Sequence, residues 1–98
     1  MSAASKPRDG FAIFIDTLFQ GSVPLVSDGN GTFVIFDTEA EAQREIADYM
    51  IIRLQQFLTG ERDFDDAIEV EEYVVPVKVY PNGTFTDEVG RVFRWRVD

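Results

Sequence analysis

The sequence predicts a two-layer α+β domain: a mainly antiparallel sheet of four to five strands with one long helix packed across one face, in the order βββαββ. Three observations predict it. Residues 38–60 have helical periodicity and a signal at each end. The rest of the chain alternates between apolar runs of strand length and clusters of Gly, Asn, Asp and Pro. The gaps between those runs are short enough for hairpins, which pair neighbouring strands antiparallel.

Residues 11–19 (FAIFIDTLF) are dense in aromatic and β-branched side chains and read as the first strand. Gln20-Gly21-Ser22 breaks it. Residues 23–26 form a short second strand, and its Pro24, which cannot donate to a ladder, belongs at an edge or at a strand start. Residues 27–31 hold Asp-Gly and Asn-Gly, the pairs that supply positive φ to a tight reversal. Residues 32–36 (TFVIF) follow as a third strand with Phe33 and Ile35 on one face and Val34 and Phe36 on the other, the pattern expected of a central strand.

The helix is the best-marked element. Thr38 and Glu41 make a capping box, each side chain positioned to meet the other residue's backbone N–H. Glu39 and Glu41 suit the positive end of the helix dipole, and Gly60 can take the left-handed conformation that ends a helix. Ala42, Ile46, Met50, Leu54, Phe57 and Leu58 recur at spacings of three and four, widened by Ala47, Tyr49 and Ile51. At about 1.5 Å per residue such a helix is longer than a typical strand, so its ends are expected to overhang the sheet.

Residues 69–80 read as a long strand with Tyr73, Val75, Val77 and Val79 on one face and Val74, Pro76, Lys78 and Tyr80 on the other; Pro76 points to an edge or a bulge. Pro81-Asn82-Gly83 turns the chain into a short strand near Phe85. The last run (VFRWRV) puts Phe93, Trp95 and Val97 inward and Arg94 and Arg96 outward. Asn-Gly-Thr-Phe occurs at both 30–33 and 82–85, which reflects the common use of Asn-Gly in hairpins, since nothing beyond the tetrapeptide repeats. One helix covers one sheet face, yet Phe14, Phe36 and Val74 oppose Ile13, Ile35 and Val75. The second face or an edge is therefore expected to meet a partner or a second copy of the chain.

Ninety-eight residues make one domain, read as a flexible tail over residues 1–10 and a folded unit over 11–98. The tail, MSAASKPRDG, has no apolar signal core, and no run approaches the roughly 18 apolar residues of a membrane span, so a cytoplasmic protein without membrane contact is expected. The absence of cysteine suits a reducing compartment and removes thiolate chemistry. With no histidine either, the usual nucleophile, base and transition-metal groups are missing, and no catalytic or cofactor-binding residue is assigned. Asp28, Asn30 and Thr32 have calcium-loop spacing, but Phe33 stands where the loop needs glycine and Glu39 belongs to the helix start, so no metal site is assigned.

Charge is the remaining signal. Twelve of the eighteen acids and three of the nine bases fall between Asp37 and Glu72, so that stretch carries the whole formal charge of −9. Direct binding to a phosphate backbone is disfavoured. The segment ERDFDDAIEVEE concentrates Glu61, Asp63, Asp65, Asp66, Glu69, Glu71 and Glu72 around Phe64, Ile68 and Val70. Read structurally, it is a solvated linker pinned by its apolar residues. Read functionally, it is a docking surface for a basic protein partner, of the kind that a phage or mobile-element inhibitor would turn towards a nucleic-acid-binding machine. The expectation is a non-enzymatic acidic binding module, with a self-associating domain, dimeric through the sheet, as the alternative and a carboxylate-only enzyme as a distant third.

Overall fold

The computed structural model describes residues 6–25 and 32–95. It is the α+β arrangement that the sequence predicts: a five-stranded antiparallel sheet with one long helix. β1 (Arg8–Thr17) and β2 (Gly21–Pro24) form a hairpin; α1 (Glu39–Leu58) and the short α2 (Phe64–Ala67) follow; β3 (Tyr73–Val79), β4 (Thr84–Thr86) and β5 (Val92–Arg94) complete the chain. The spatial order is β2-β1-β3-β4-β5, every neighbouring pair antiparallel. Residues 1–5 of the expected tail, the turn at 27–31 and the orientations of Arg96 and Val97 lie outside the described residues. Arg8, Asp9 and Gly10, assigned to the tail from sequence, belong to β1, where they pair with Val79, Lys78 and Val77.

The long β1–β3 ladder explains the two-faced strands. Along β1, Ala12 and Phe14 point to one side while Phe11 and Ile13 point to the other, where the helix contributes Ala42 and Ile46. The capping box forms as the sequence implies: the Thr38 hydroxyl accepts from Glu41 N at 3.1 Å, and Glu41 Oε1 accepts from Thr38 N at 3.2 Å. Pro24 lies on the edge strand, as expected. Pro76 is interior to β3 yet flanked on one side only, because β4 pairs with β3 solely at Lys78 and Val79.

The third predicted strand behaves differently. Residues 32–36 form no ladder and are not central. They make single bridges, Phe33 beside Trp95 and Phe36 beside Phe11, through Phe33 N to Arg94 O (2.9 Å) and reciprocal Phe11–Phe36 bonds of 2.9 and 2.8 Å. In a flat sheet, positions outside β5 and outside β1 would lie five strand spacings apart, about 24 Å, whereas three residues of extended chain reach about 10 Å. The sheet must therefore curl until this segment ties its far strand back to β1. The curl buries the second face within the chain: Ala12, Phe14, Val77, Val79 and Phe85 are enclosed, with Phe33, Ile35, Phe93 and Trp95 packed against them. Gly10 is where the tie passes closest, since a Cβ there would come within 2.9 Å of Val79 Cγ2 and 3.0 Å of Ile35 Cγ2. At the other end of the barrel-like interior, the Arg91 guanidinium donates to Ser22 O, linking the β4–β5 turn to edge strand β2.

Candidate protein-docking site

The acidic segment begins where α1 outruns the sheet. Ala42 and Ile46 in its first half are the helix's buried residues, whereas Ile51, Ile52, Leu54, Phe57 and Leu58 in its second half are exposed. Thr59 and Gly60 close the helix, Gly60 at φ 83°, with Gly60 N donating to Phe57 O at 3.0 Å. The chain then doubles back, and α2 lies against the overhang through Ala67, which is fully buried, and through an edge-on Phe57–Phe64 pair with centroids 5.2 Å apart.

The seven candidate acids take three different situations. Glu61, Asp63, Asp65, Glu69 and Glu71 are exposed. Asp63 occupies the N-cap of α2 with extended backbone but makes no side-chain capping bond. Asp66 is exposed but engaged, accepting from Arg62 at 2.6 Å across one helical turn. Glu72 is buried and takes a bidentate pair from Arg53, at 2.9 and 3.3 Å. Burial pushes the Glu72 carboxyl up, but the hydrogen bonds and charge of Arg53, with backbone N–H groups, outweigh it and hold the group below its ordinary value. Its bond to Glu72, against the opposing effect of burial, raises Arg53. Glu72 thus anchors the helix to the start of β3, a role distinct from the solvated docking carboxylate expected of it.

Four of the acids meet at one groove of about 480 Å³, where Asp66, Glu69, Glu71 and Glu72 line a wall with Arg53 and Arg62. Glu61, Asp63 and Asp65 are not among its lining residues. Two of the four are neutralised by the arginines, leaving Glu69 and Glu71 without an ion pair among the described residues. The apolar members of the segment, Phe64, Ile68 and Val70, are each about half exposed (52, 48 and 52%), so they are not fully pinned to the core as a plain linker would require.

Sequence reasoning missed both arginines. Arg62 and Asp66 have the four-residue spacing of a helical pair, and Arg53 shares the sheet-facing stripe of Ala42, Ile46 and Tyr49, an unusual place for an uncompensated charge. A second polar cluster also went unforeseen. The Tyr73 hydroxyl bonds Ser22 and donates to Asp16 at 2.7 Å, while Asp87 accepts from Arg91 Nε at 2.8 Å and from the Arg91 and Val89 backbone. Burial raises the Tyr73 phenol, which leaves it a hydrogen-bonding strut rather than a ready base. Among the described residues no three of Asp, Glu, His or Cys converge as a metal site, and no helix is long and apolar enough to cross a membrane. No protein-family model, curated protein or solved structure matches the chain.

Proposed function

We propose that this chain is a non-enzymatic protein-binding module that docks its acidic helical end on a basic protein surface, of the kind that otherwise holds nucleic acid. The observation that carries the reading is the composition of that end: six exposed carboxylates, five of them without an ion pair among the described residues, interleaved with half-exposed Phe64, Ile68 and Val70. Exposed charge steers encounter with an oppositely charged groove, and apolar side chains among the charges supply the desolvated contact that holds it. Charge alone would suit any solvated linker; the exposed apolar residues are what distinguish a docking surface. An inhibitor carried by a phage or mobile element against a nucleic-acid-binding machine is the biological setting this chemistry fits best.

The test is capture from a nuclease-treated bacterial lysate, comparing the native chain with Asp63→Lys/Asp65→Lys/Glu69→Lys, which spares the paired Asp66 and Glu72. The native chain is expected to retain a basic nucleic-acid-binding protein and the folded variant to lose it. Binding to the captured protein should also weaken steeply with added salt. Equal capture by both forms would overturn the proposal.

A further inference from the structure

The groove beside the acidic segment has room and chemistry that the fold does not use. It lies between the second half of α1 and residues 69–72, with a volume of about 480 Å³. Tyr49 and Ile52 of the helix and Leu25, just beyond β2, supply its apolar lining, and Ile52 and Leu25 are still 50% and 38% exposed. Six charged side chains line the rest. Arg53 is taken by Glu72, and Arg62 by Asp66 and Gln56, which leaves Glu69 and Glu71 with no ion pair among the described residues.

Charge and lining together say what fills it. The groove keeps two unbalanced negative charges, so the occupant that complements it is a cation. An anion would meet Glu69 and Glu71 and find both arginines already engaged, and an apolar ligand would desolvate two carboxylates without pairing them. The apolar lining then selects among cations. An ammonium is compact and strongly hydrated, whereas a guanidinium is planar and weakly hydrated, stacks on aromatic rings such as that of Tyr49, and carries five N–H donors, enough to serve two carboxylates at once. The aliphatic stem of an arginine can lie along Leu25 and Ile52 while its head meets Glu69 and Glu71. The same groove already holds a guanidinium in this way: Arg53 reaches Glu72 through two N–H groups, at 2.9 and 3.3 Å.

We propose that this groove takes an arginine side chain of the basic protein partner, its guanidinium held by Glu69 and Glu71 and its stem by Leu25 and Ile52. The proposal rests on the docking reading and deepens it by naming the side chain that anchors the partner. Glu61, Asp63 and Asp65, which lie outside the groove, steer the encounter, and the groove supplies the seated contact with a preference for arginine over lysine.

The probes are N-acetyl-argininamide and N-acetyl-lysinamide, each carrying one side-chain charge, with sodium chloride at matched ionic strength as the control. Amide NMR spectra of the full chain are recorded as each is added to roughly 50 mM, the range in which a single seated side chain binds. The arginine derivative is expected to give saturable shifts centred on Leu25, Tyr49, Ile52, Glu69 and Glu71, and the lysine derivative to bind at least about threefold more weakly. Glu69→Gln/Glu71→Gln, at two exposed positions, should lose the saturable shifts with its spectrum otherwise unchanged. Asp63→Gln/Asp65→Gln removes the same charge outside the groove and should bind as the native chain does. Shifts no larger than those of the salt control, equal binding of the two derivatives, or equal weakening by both double substitutions overturns the proposal. The docking reading fails separately: saturable arginine binding with no basic protein captured from the lysate would sink that reading and leave the groove an arginine site, whereas capture that survives Glu69→Gln/Glu71→Gln would sink the groove alone.

Discussion

The two ends of this molecule hold apolar side chains on opposite terms. In the curled sheet Phe14, Phe85, Ile13 and Val79 are almost wholly enclosed, Phe85 stacked on Phe93 and edge-on to Phe33. Beyond the sheet the second half of α1, together with α2, leaves Ile51, Ile52, Leu58, Phe64 and Ile68 about half exposed or more. Hydrophobic stabilisation scales with area removed from water, so fold stability resides in the sheet end, while the helical end keeps surface that only another molecule can cover. The difference separates a buried folding surface from the exposed apolar surface proposed for docking, in a chain whose composition does not distinguish them.

Substitutions that empty the sheet interior should break the fold outright. Phe85→Ala removes a fully buried ring at the centre of the aromatic group and is expected to cost about 3–5 kcal/mol, a large fraction of the stability of a domain this size. Urea unfolding followed by Trp95 fluorescence reads it. A loss below about 1 kcal/mol would mean that the curl is loosely packed and the contrast between the ends weaker than drawn.

The next largest effect lies at the joint between the ends. Arg53→Met strips the partner from the buried Glu72 carboxylate and is expected to cost about 3 kcal/mol at neutral pH, with Arg53→Met/Glu72→Leu recovering most of it. The pair also fixes a pH dependence. Because the Glu72 carboxyl is held below its ordinary value of 4.5, its contribution is complete above that pH and is lost as pH falls through the folded-state value. Native stability should therefore decline on acidification below about pH 4.5, and the double variant should lack this part of the decline. Denaturant midpoints from pH 3 to 7 check the sign, and a double variant as acid-sensitive as the native chain would remove Glu72 from the account.

How much of this was legible in the sequence depends on the range of each interaction. The capping box at Thr38 and Glu41, the alternation of Tyr73, Val75 and Val77, and the edge position of Pro24 are local, and each appears where residue spacing places it. The closing tie at residues 32–36 is not local. It depends on Phe33 meeting Arg94 and Trp95 across the full length of the fold, and an apolar pentapeptide looks the same whether it is a central strand or a clasp. Glu72 lies between. It shares alternation parity with Val74, which packs on the helix side, and that parity marks it as inward-facing within a run otherwise read as solvated. The proposed docking surface stays least legible, because exposed Phe64 and Ile68 obey the same helical spacing as core residues and only the overhang of α1 withholds them from the core.

The smallest expected effect tests the comparison on a single residue type. Phe19, at the β1–β2 turn with Leu18, is 98% exposed, whereas Phe85 is wholly buried. The turn is held without either side chain: Thr17 Oγ1 donates to Gly21 O and accepts from Gln20 N, both at 3.0 Å. Leu18→Ser/Phe19→Ser should therefore change unfolding free energy by less than about 0.5 kcal/mol, in the same urea titration in which Phe85→Ala nearly unfolds the protein. A loss of about 1 kcal/mol or more would show these side chains packed on the domain in solution and would move the hairpin tip from the exposed side of the contrast to the folding side.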